Sequence, residues 1–378
     1  MDFSRLDAYV DSLQAAGVPG CDLVVYRDHE MIYRRLAGFR DADRTLPVAG
    51  DETYCLYSCS KVFTTCAAMQ LIERGILHLD DPVSRWLPAY ADLTVREGDA
   101  VRPAARVMTV RHLMSMQSGL DYELDTPAIR AALEATNGAA TTRELVDAIA
   151  KGPLSFDPGM DFQYSLSHDV LAAVIEAASG LRFSEYLREN IFQPLGLETV
   201  AFTMDGTRAD RLCAQYEVND ADGRIVQSPA QVINYRLGPN YESGGAGLIS
   251  DVRDCITFAD ALACGGAGAN GARVLSPEMI QLWSANQLGA KARKSFDEWQ
   301  RLGYSYALGV RTRVNTAIGG RGQIGEFGWD GAAGAWMMID PINHLSAYYA
   351  MHVRNFNYSY DVIHPTIRDL IYGSVMGS

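Results

Sequence analysis

A chain of 378 residues, 48% of them hydrophobic, is long enough to bury a large core and too apolar for disorder. Its 33 Lys and Arg against 46 Asp and Glu leave a formal charge of −13, which disfavours nucleic acid and anionic membranes as partners. The densest basic cluster, Lys291-Ala292-Arg293-Lys294, reads as a solvated loop, and no apolar run reaches membrane-spanning length.

The chain opens Met-Asp-Phe-Ser-Arg-Leu-Asp-Ala-Tyr-Val, without a basic run, an apolar stretch and a cleavage site, so a cytoplasmic protein is expected. Apolar Leu6, Tyr9, Val10 and Leu13 predict a helix over 3–16, ended by Gly17 and Pro19. Cys21–Tyr26 and Met31–Gly38 read as a hairpin turning at Asp28-His29-Glu30. A mostly apolar helix over 60–74 stops at Gly75, and its composition suits the interior. Another helix is expected to start at Asp80-Asp81-Pro82-Val83, and further helices over 109–117, 142–151, 167–179 and 184–192.

Gly265–Gly271 lacks the Lys-Ser/Thr of a phosphate loop and reads as a surface turn. Leu302–Thr312, Ala335–Ile339 and Ser346–Val353 read as strands, with a hairpin turn at Asp340-Pro341-Ile342-Asn343 and a last helix over about 359–372. An early hairpin and late strands thus bracket a helical block. The expected fold is of α+β type: an antiparallel sheet built from both chain ends, flanked by helices, with an inserted mainly helical lobe. One module spans 1–378, with a sheet-containing lobe of 1–57 plus 240–378 and a helical lobe of 58–239.

Seven cysteines, an odd number spread over a long chain, do not suggest a disulfide framework. Cys55 and Cys59 are four apart, but no Cys/His partner pair has zinc-like spacing, so small buried packing residues are expected.

The strongest chemical signal is Tyr57-Ser58-Cys59-Ser60-Lys61-Val62-Phe63-Thr64. Ser58 and Lys61 are three apart at the start of the apolar helix, on one face. Serine needs a base to become a nucleophile, and lysine serves as one only if burial lowers its pKa. Of the four lysines, Lys61 alone has a serine three residues earlier. The alternative is a capped helix start with a surface lysine. A second signal is Phe162-Gln163-Tyr164-Ser165-Leu166-Ser167-His168-Asp169, where a Tyr164 phenol of depressed pKa could shuttle a proton; its alternative is a buried tyrosine with a satisfied hydroxyl. His168-Asp169 could be a triad remnant, though Asp169 is more simply a first-turn acid.

The third signal runs from Phe327 to Trp336. Small residues Gly331 to Gly334 let a carbonyl approach the backbone, and the N–H groups of Ala332 and Ser58 could form an oxyanion hole; a glycine-rich start of a strand beside a core tryptophan is the alternative. No Gly-x-Ser-x-Gly elbow, His-Glu-x-x-His metal motif or Gly-x-Gly-x-x-Gly loop is present, and neither metal nor cofactor is expected.

Taken in order, the three motifs resemble the serine β-lactamase/penicillin-binding-protein superfamily, and more closely its class C branch and esterase relatives. The resemblance runs from about Gly17 to Val353 and is supported by 17–20, 71–83, 109–119, 194–197 and 243–250. It implies Ser58 as acylated nucleophile, Lys61 as its general base and Tyr164 as the proton-relaying tyrosine of the second motif. Trp329-Asp330-Gly331 takes the place of the third motif. Two departures matter. Leu166 stands where the family usually has an asparagine, and Trp329 where a lysine or histidine would bind a substrate carboxylate. Both lean towards the esterase branch, and the Asp330 charge further disfavours an anionic substrate. His352 and Arg354 offer another place for a carboxylate, against a solvated strand end. The expected activity is therefore a carboxylesterase on small acyl esters. A β-lactamase or D-amino-acid peptidase/transpeptidase-like amide hydrolase is the alternative within the fold, and an idle binding protein the alternative outside enzymology.

Overall fold

A computed structural model describes residues 1–228, 237–299 and 301–377. Seven antiparallel strands form one sheet from both chain ends: β1 (Gly20–Arg27), β2 (Glu30–Gly38), β3 (Tyr304–Tyr306), β4 (Arg311–Arg313), β5 (Phe327–Asp330), β6 (Trp336–Asp340) and β7 (Leu345–Ala350). Their order is β2-β1-β7-β6-β5-β4-β3. The β1–β2 turn is tight because Asp28 and His29 both take positive φ, 51° and 67°, which matches the twist of a two-residue hairpin.

Alternation along the strands divides the core in two. Leu23, Val25, Ala347 and Tyr349 face one side, where they pack with Leu6 and Val10 of α1 (Ser4–Ser12) and with Ile367 and Ile371 of the C-terminal helix His364–Met376. Val24, Met337, Tyr348 and Ala350 face the other side, joining one large core with α2 (Ser60–Glu73), α3 (Ser167–Ser179) and α4 (Val252–Ala263). The expected architecture is therefore the one observed, with the mainly helical segment inserted between the two chain ends. Among the described residues, no helix is long and apolar enough to cross a membrane.

Helix α2 is buried from Ser60 through Leu71, which explains why its sequence is apolar all round. Phe63 stacks on Phe258 of α4, ring centroids 4.0 Å apart, and meets Phe192 edge-on. Six of the seven cysteines are buried and Cys264 is half-buried; all are unpaired.

Three local expectations need correction. No helix starts at Asp80–Val83: Pro82 is extended (ψ 132°), and only short 3₁₀ turns follow at Val83–Arg85 and Pro88–Tyr90. Leu302–Thr312 is not one strand but the β3–β4 hairpin, reversed at Gly309. There φ is +75°, and a side chain would meet Thr65 Oγ1 at 2.1 Å and His168 Nε2 at 2.6 Å. Lys291–Lys294 lies on the helix Ala290–Asp297, not in a loop; Ala292 and Phe296, one turn apart, are buried and hold it down. Three further helices, Pro127–Ala135, α4 and Pro277–Ser284, were not anticipated, although Thr126, Asp251 and Ser276 each cap one through a side-chain oxygen.

Phe63→Ala should lower stability by about 3–5 kcal/mol in chemical denaturation, because α2 and α4 cannot close over the lost ring. A loss under about 1 kcal/mol would show that this contact does not fasten α2 to α4.

Candidate active site

Two loops and a helix start converge at the front of α2. Thr53–Cys55 pairs antiparallel with Ile249–Asp251, and the Leu56 N–H donates to Leu248 O at 2.9 Å. The chain then turns sharply through Tyr57, whose φ of +46° is left-handed. Such a conformation costs a bulky residue on the order of 1–2 kcal/mol. It is held by complete burial of the ring and by a hydrogen bond from Tyr57 Oη to Gln215 Oε1 at 3.0 Å. The strained turn presents Ser58 on a 3₁₀ turn that runs into the N-terminus of α2.

Lys61 is fully buried, and its Nζ donates to Gly245 O at 2.7 Å, Ser58 Oγ at 3.2 Å and Tyr122 Oη at 3.3 Å. It also lies 4.6 Å from the centre of the Tyr164 ring. Burial lowers its pKa to about 7, and Asp169 pulls in the opposite direction. Asp169 Oδ1 accepts from Tyr241 Oη at 2.7 Å and Ser243 Oγ at 2.6 Å, while Oδ2 has no hydrogen-bond partner among the described residues. Gly245 makes room for this arrangement: a Cβ there would lie 2.5 Å from Asp169 Oδ2 and 3.4 Å from Lys61 Nζ. Asp169 is indeed in the first turn of α3, but it also supplies the negative charge beside the buried amine.

Tyr164 accepts a hydrogen bond from Trp329 Nε1 at 2.9 Å and lies within hydrogen-bonding reach of Ser58. Its ring stacks between Tyr122 and Trp329, at 5.7 and 5.6 Å. Burial raises the Tyr164 pKa, contrary to the depressed phenol expected from sequence, so the group is a neutral donor. Gly331 N–H donates to Ala335 O and Gly334 N–H to Gly331 O, both within a tight turn. The Ala332 N–H between them has no backbone acceptor among the described residues.

Ser58, Tyr164, Trp329, Gly331 and Ala332 all line one cleft of about 500 Å³, with Lys61 beneath its floor. Leu166 does not join them. At the start of α3 it is buried, 3% exposed, and its N–H donates to Asp121 O at 3.0 Å. Nor do His352 and Arg354 reach the cleft. His352 is buried, accepting from Cys55 N at 3.1 Å and bonded to Cys213 O at 2.9 Å, and burial lowers its pKa to about 4. Arg354 pairs with Glu217. Asp330 carries less charge to the cleft than its sequence position suggests. Burial would raise its pKa, but Arg311 at 2.7 Å and Arg301 at 3.2 Å hold it below the carboxylate range and neutralise it. Tyr122 was missed by sequence reasoning, since the supporting stretch 109–119 ends just before it and spacing does not mark a lone tyrosine; Gly245 lay inside the supporting stretch 243–250, but nothing there gave its carbonyl a role.

Comparison with known proteins assigns the family and the fold. A family model described as Beta-lactamase matches residues 6–369. Esterase EstB of Burkholderia gladioli is 31% identical over 280 residues, 68% of this chain and 69% of that protein. The solved structure of EstCE1, described as a hydrolase with promiscuous acyltransferase activity, is 26% identical, with a TM-score of 0.80 over 98% of each chain. Simvastatin synthase (LovD) from Aspergillus terreus, at 24% identity and a TM-score of 0.82 over the whole of both chains, shares the fold. The chain therefore belongs to the beta-lactamase family of serine hydrolases, alongside its esterase and acyltransferase members.

Proposed function

We propose that this protein is a carboxylesterase that works through an acyl-enzyme on Ser58. The observation that carries the reading is a buried amine of lowered pKa 3.2 Å from a hydroxyl at the floor of an aromatic cleft. As a neutral amine, Lys61 has two N–H donors and one lone pair. Gly245 O and Tyr122 Oη take the donors, which leaves the lone pair for the Ser58 proton. Ser58 Oγ attacks the ester carbonyl as its proton passes to Nζ. The backbone N–H groups of Ser58 and Ala332 receive the oxyanion.

Tyr164 accepts from Trp329, so its own proton is free to move towards the leaving alkoxide, and Lys61 restores it. The ester C–O bond breaks and the alcohol departs. Water, activated by the same pair, then attacks the acyl-enzyme and regenerates Ser58; an alcohol in place of that water would receive the acyl group instead. The amide-hydrolysing alternative is disfavoured because Trp329 fills the third-motif position and Arg301, the one arginine or lysine lining the cleft among the described residues, is tied to Asp330.

Wild-type protein should hydrolyse p-nitrophenyl butyrate and leave a chromogenic cephalosporin nearly untouched, and Ser58→Ala should lose at least about 10³-fold in ester turnover. Fast cephalosporin hydrolysis would reverse the choice of substrate, and activity surviving in Ser58→Ala would reject the nucleophile. Lys61→Ala should abolish acylation in a folded protein, and Tyr164→Phe should slow it by about 10²–10⁴-fold.

The pH profile has a defined sign. Lys61 works only when neutral, so kcat/KM should rise with pH to a plateau above an apparent pKa near 7 and fall about tenfold per unit below it. Asp169→Asn removes the charge that holds a proton on Lys61 and should move this limb to lower pH. A profile flat from pH 5 to 9, or a limb unmoved in Asp169→Asn, would show that Lys61 is not the titrating base.

A further inference from the structure

The charge around the mouth of the cleft is one-sided. Besides the neutralised Asp330, the cleft is lined by Glu298 and Asp361, both exposed and neither in an ion pair among the described residues. The opposing charge, Arg301, is turned towards Asp330, which it shares with Arg311, at 3.2 Å, and donates to Tyr360 O at 3.0 Å. Next to Glu298 stands an exposed aromatic ring. Trp299, 38% exposed, lies 5.0 Å from the Tyr164 ring, whereas the Tyr360 ring beside Asp361 is already covered by the Arg301 guanidinium, 5.2 Å from its centre. An exposed indole flanked by unpaired carboxylates attracts a cation and repels an anion. The net charge of −13 adds a field of the same sign at long range.

We infer that the cleft selects esters whose alcohol carries a quaternary or protonated amine. This rests on the esterase reading, which also fixes the side. Tyr164 delivers the proton to the leaving alkoxide, and the Trp299 ring lies 5.0 Å from the Tyr164 ring in the same cleft, so the alcohol arm is placed against Trp299 and Glu298. The cation then sits against the indole, with the two carboxylates balancing its charge.

Three butyrate esters test this: butyrylcholine, its neutral isostere 3,3-dimethylbutyl butyrate, and a butyrate ester of an alcohol of similar length bearing a carboxylate. All three form the same acyl-enzyme, so their kcat/KM values differ only in binding and acylation. Butyrylcholine should exceed the neutral ester by about five- to tenfold at low salt, with the anionic ester slowest and the spread narrowing as salt rises. Glu298→Gln/Asp361→Asn should bring the cationic-to-neutral ratio close to one. Equal rates for the cationic and neutral esters in wild type, or a ratio unchanged in the double variant, would overturn the inference.

A binding measurement separates this from failure of the esterase reading. In Ser58→Ala, benzyltrimethylammonium should quench tryptophan fluorescence at concentrations where phenylacetate does not, and the double substitution should remove the difference. If no ester is turned over at all, the catalytic reading falls and this measurement alone decides. Equal quenching by both probes, or quenching that survives the double substitution, rejects the cation site.

Discussion

The buried amine of Lys61 is the constraint around which the centre of the molecule is arranged. Its pKa falls from the ordinary 10.5 to about 7 on folding, so between those values the unfolded chain holds a proton that the native one has released. The amine therefore opposes folding by on the order of 5 kcal/mol at and below the native pKa, and the penalty disappears only above the unfolded pKa. The surrounding core must offset it. Helix α2 is packed on every side, and the aromatic contacts of Phe63 fasten it to α4. Such local destabilisation is tolerated where neighbouring structure over-determines the geometry.

The same constraint orders the polar groups around it. Gly245 supplies a carbonyl and an absent side chain, Tyr122 a hydroxyl, and Asp169 a charge held by Tyr241 and Ser243. The strained Tyr57 turn and the His352 bond to Cys55 N brace the segment that carries Ser58. His352, which from sequence could have met a substrate carboxylate, is thus a brace behind the site. Its burial as a neutral imidazole suits a group that accepts from one backbone N–H and donates to one carbonyl.

The third-motif segment shows how a charge pattern can mislead when read in one dimension. Asp330 stands beside the cleft and would be expected to repel anions. In three dimensions its charge is taken up by Arg311, on the neighbouring strand β4, and by Arg301. The field in the cleft is set instead by Glu298 and Asp361, which stand far apart in the sequence from each other and from Ser58. Trp329 both lines the cleft and donates to Tyr164, so packing and proton positioning share one side chain.

Much of the fold was legible because its signals are local. Periodicity located α1, apolar runs closed by glycine located α2 and α3, turn residues located the β1–β2 hairpin, and the placement of strands at both ends implied the shared sheet. Where a local reading failed, a distant contact decided. Gly309 breaks an apolar run because Thr65 and His168 leave no room for a side chain, and Ala292 with Phe296 turns a basic run into a docked helix. Of the site, the Ser58–Lys61 spacing, Tyr164 and the Gly331–Ala332 turn could be read from the chain, since each is a short motif at an element boundary. Sequence alone determined which groups could react and on which helix the serine and lysine share a face. Only the tertiary structure decided that the lysine is dry, that Asp169 and Tyr122 attend it, and that Leu166 is buried outside the cleft lining, because burial and pairing depend on segments 61 to 184 residues apart meeting around one amine.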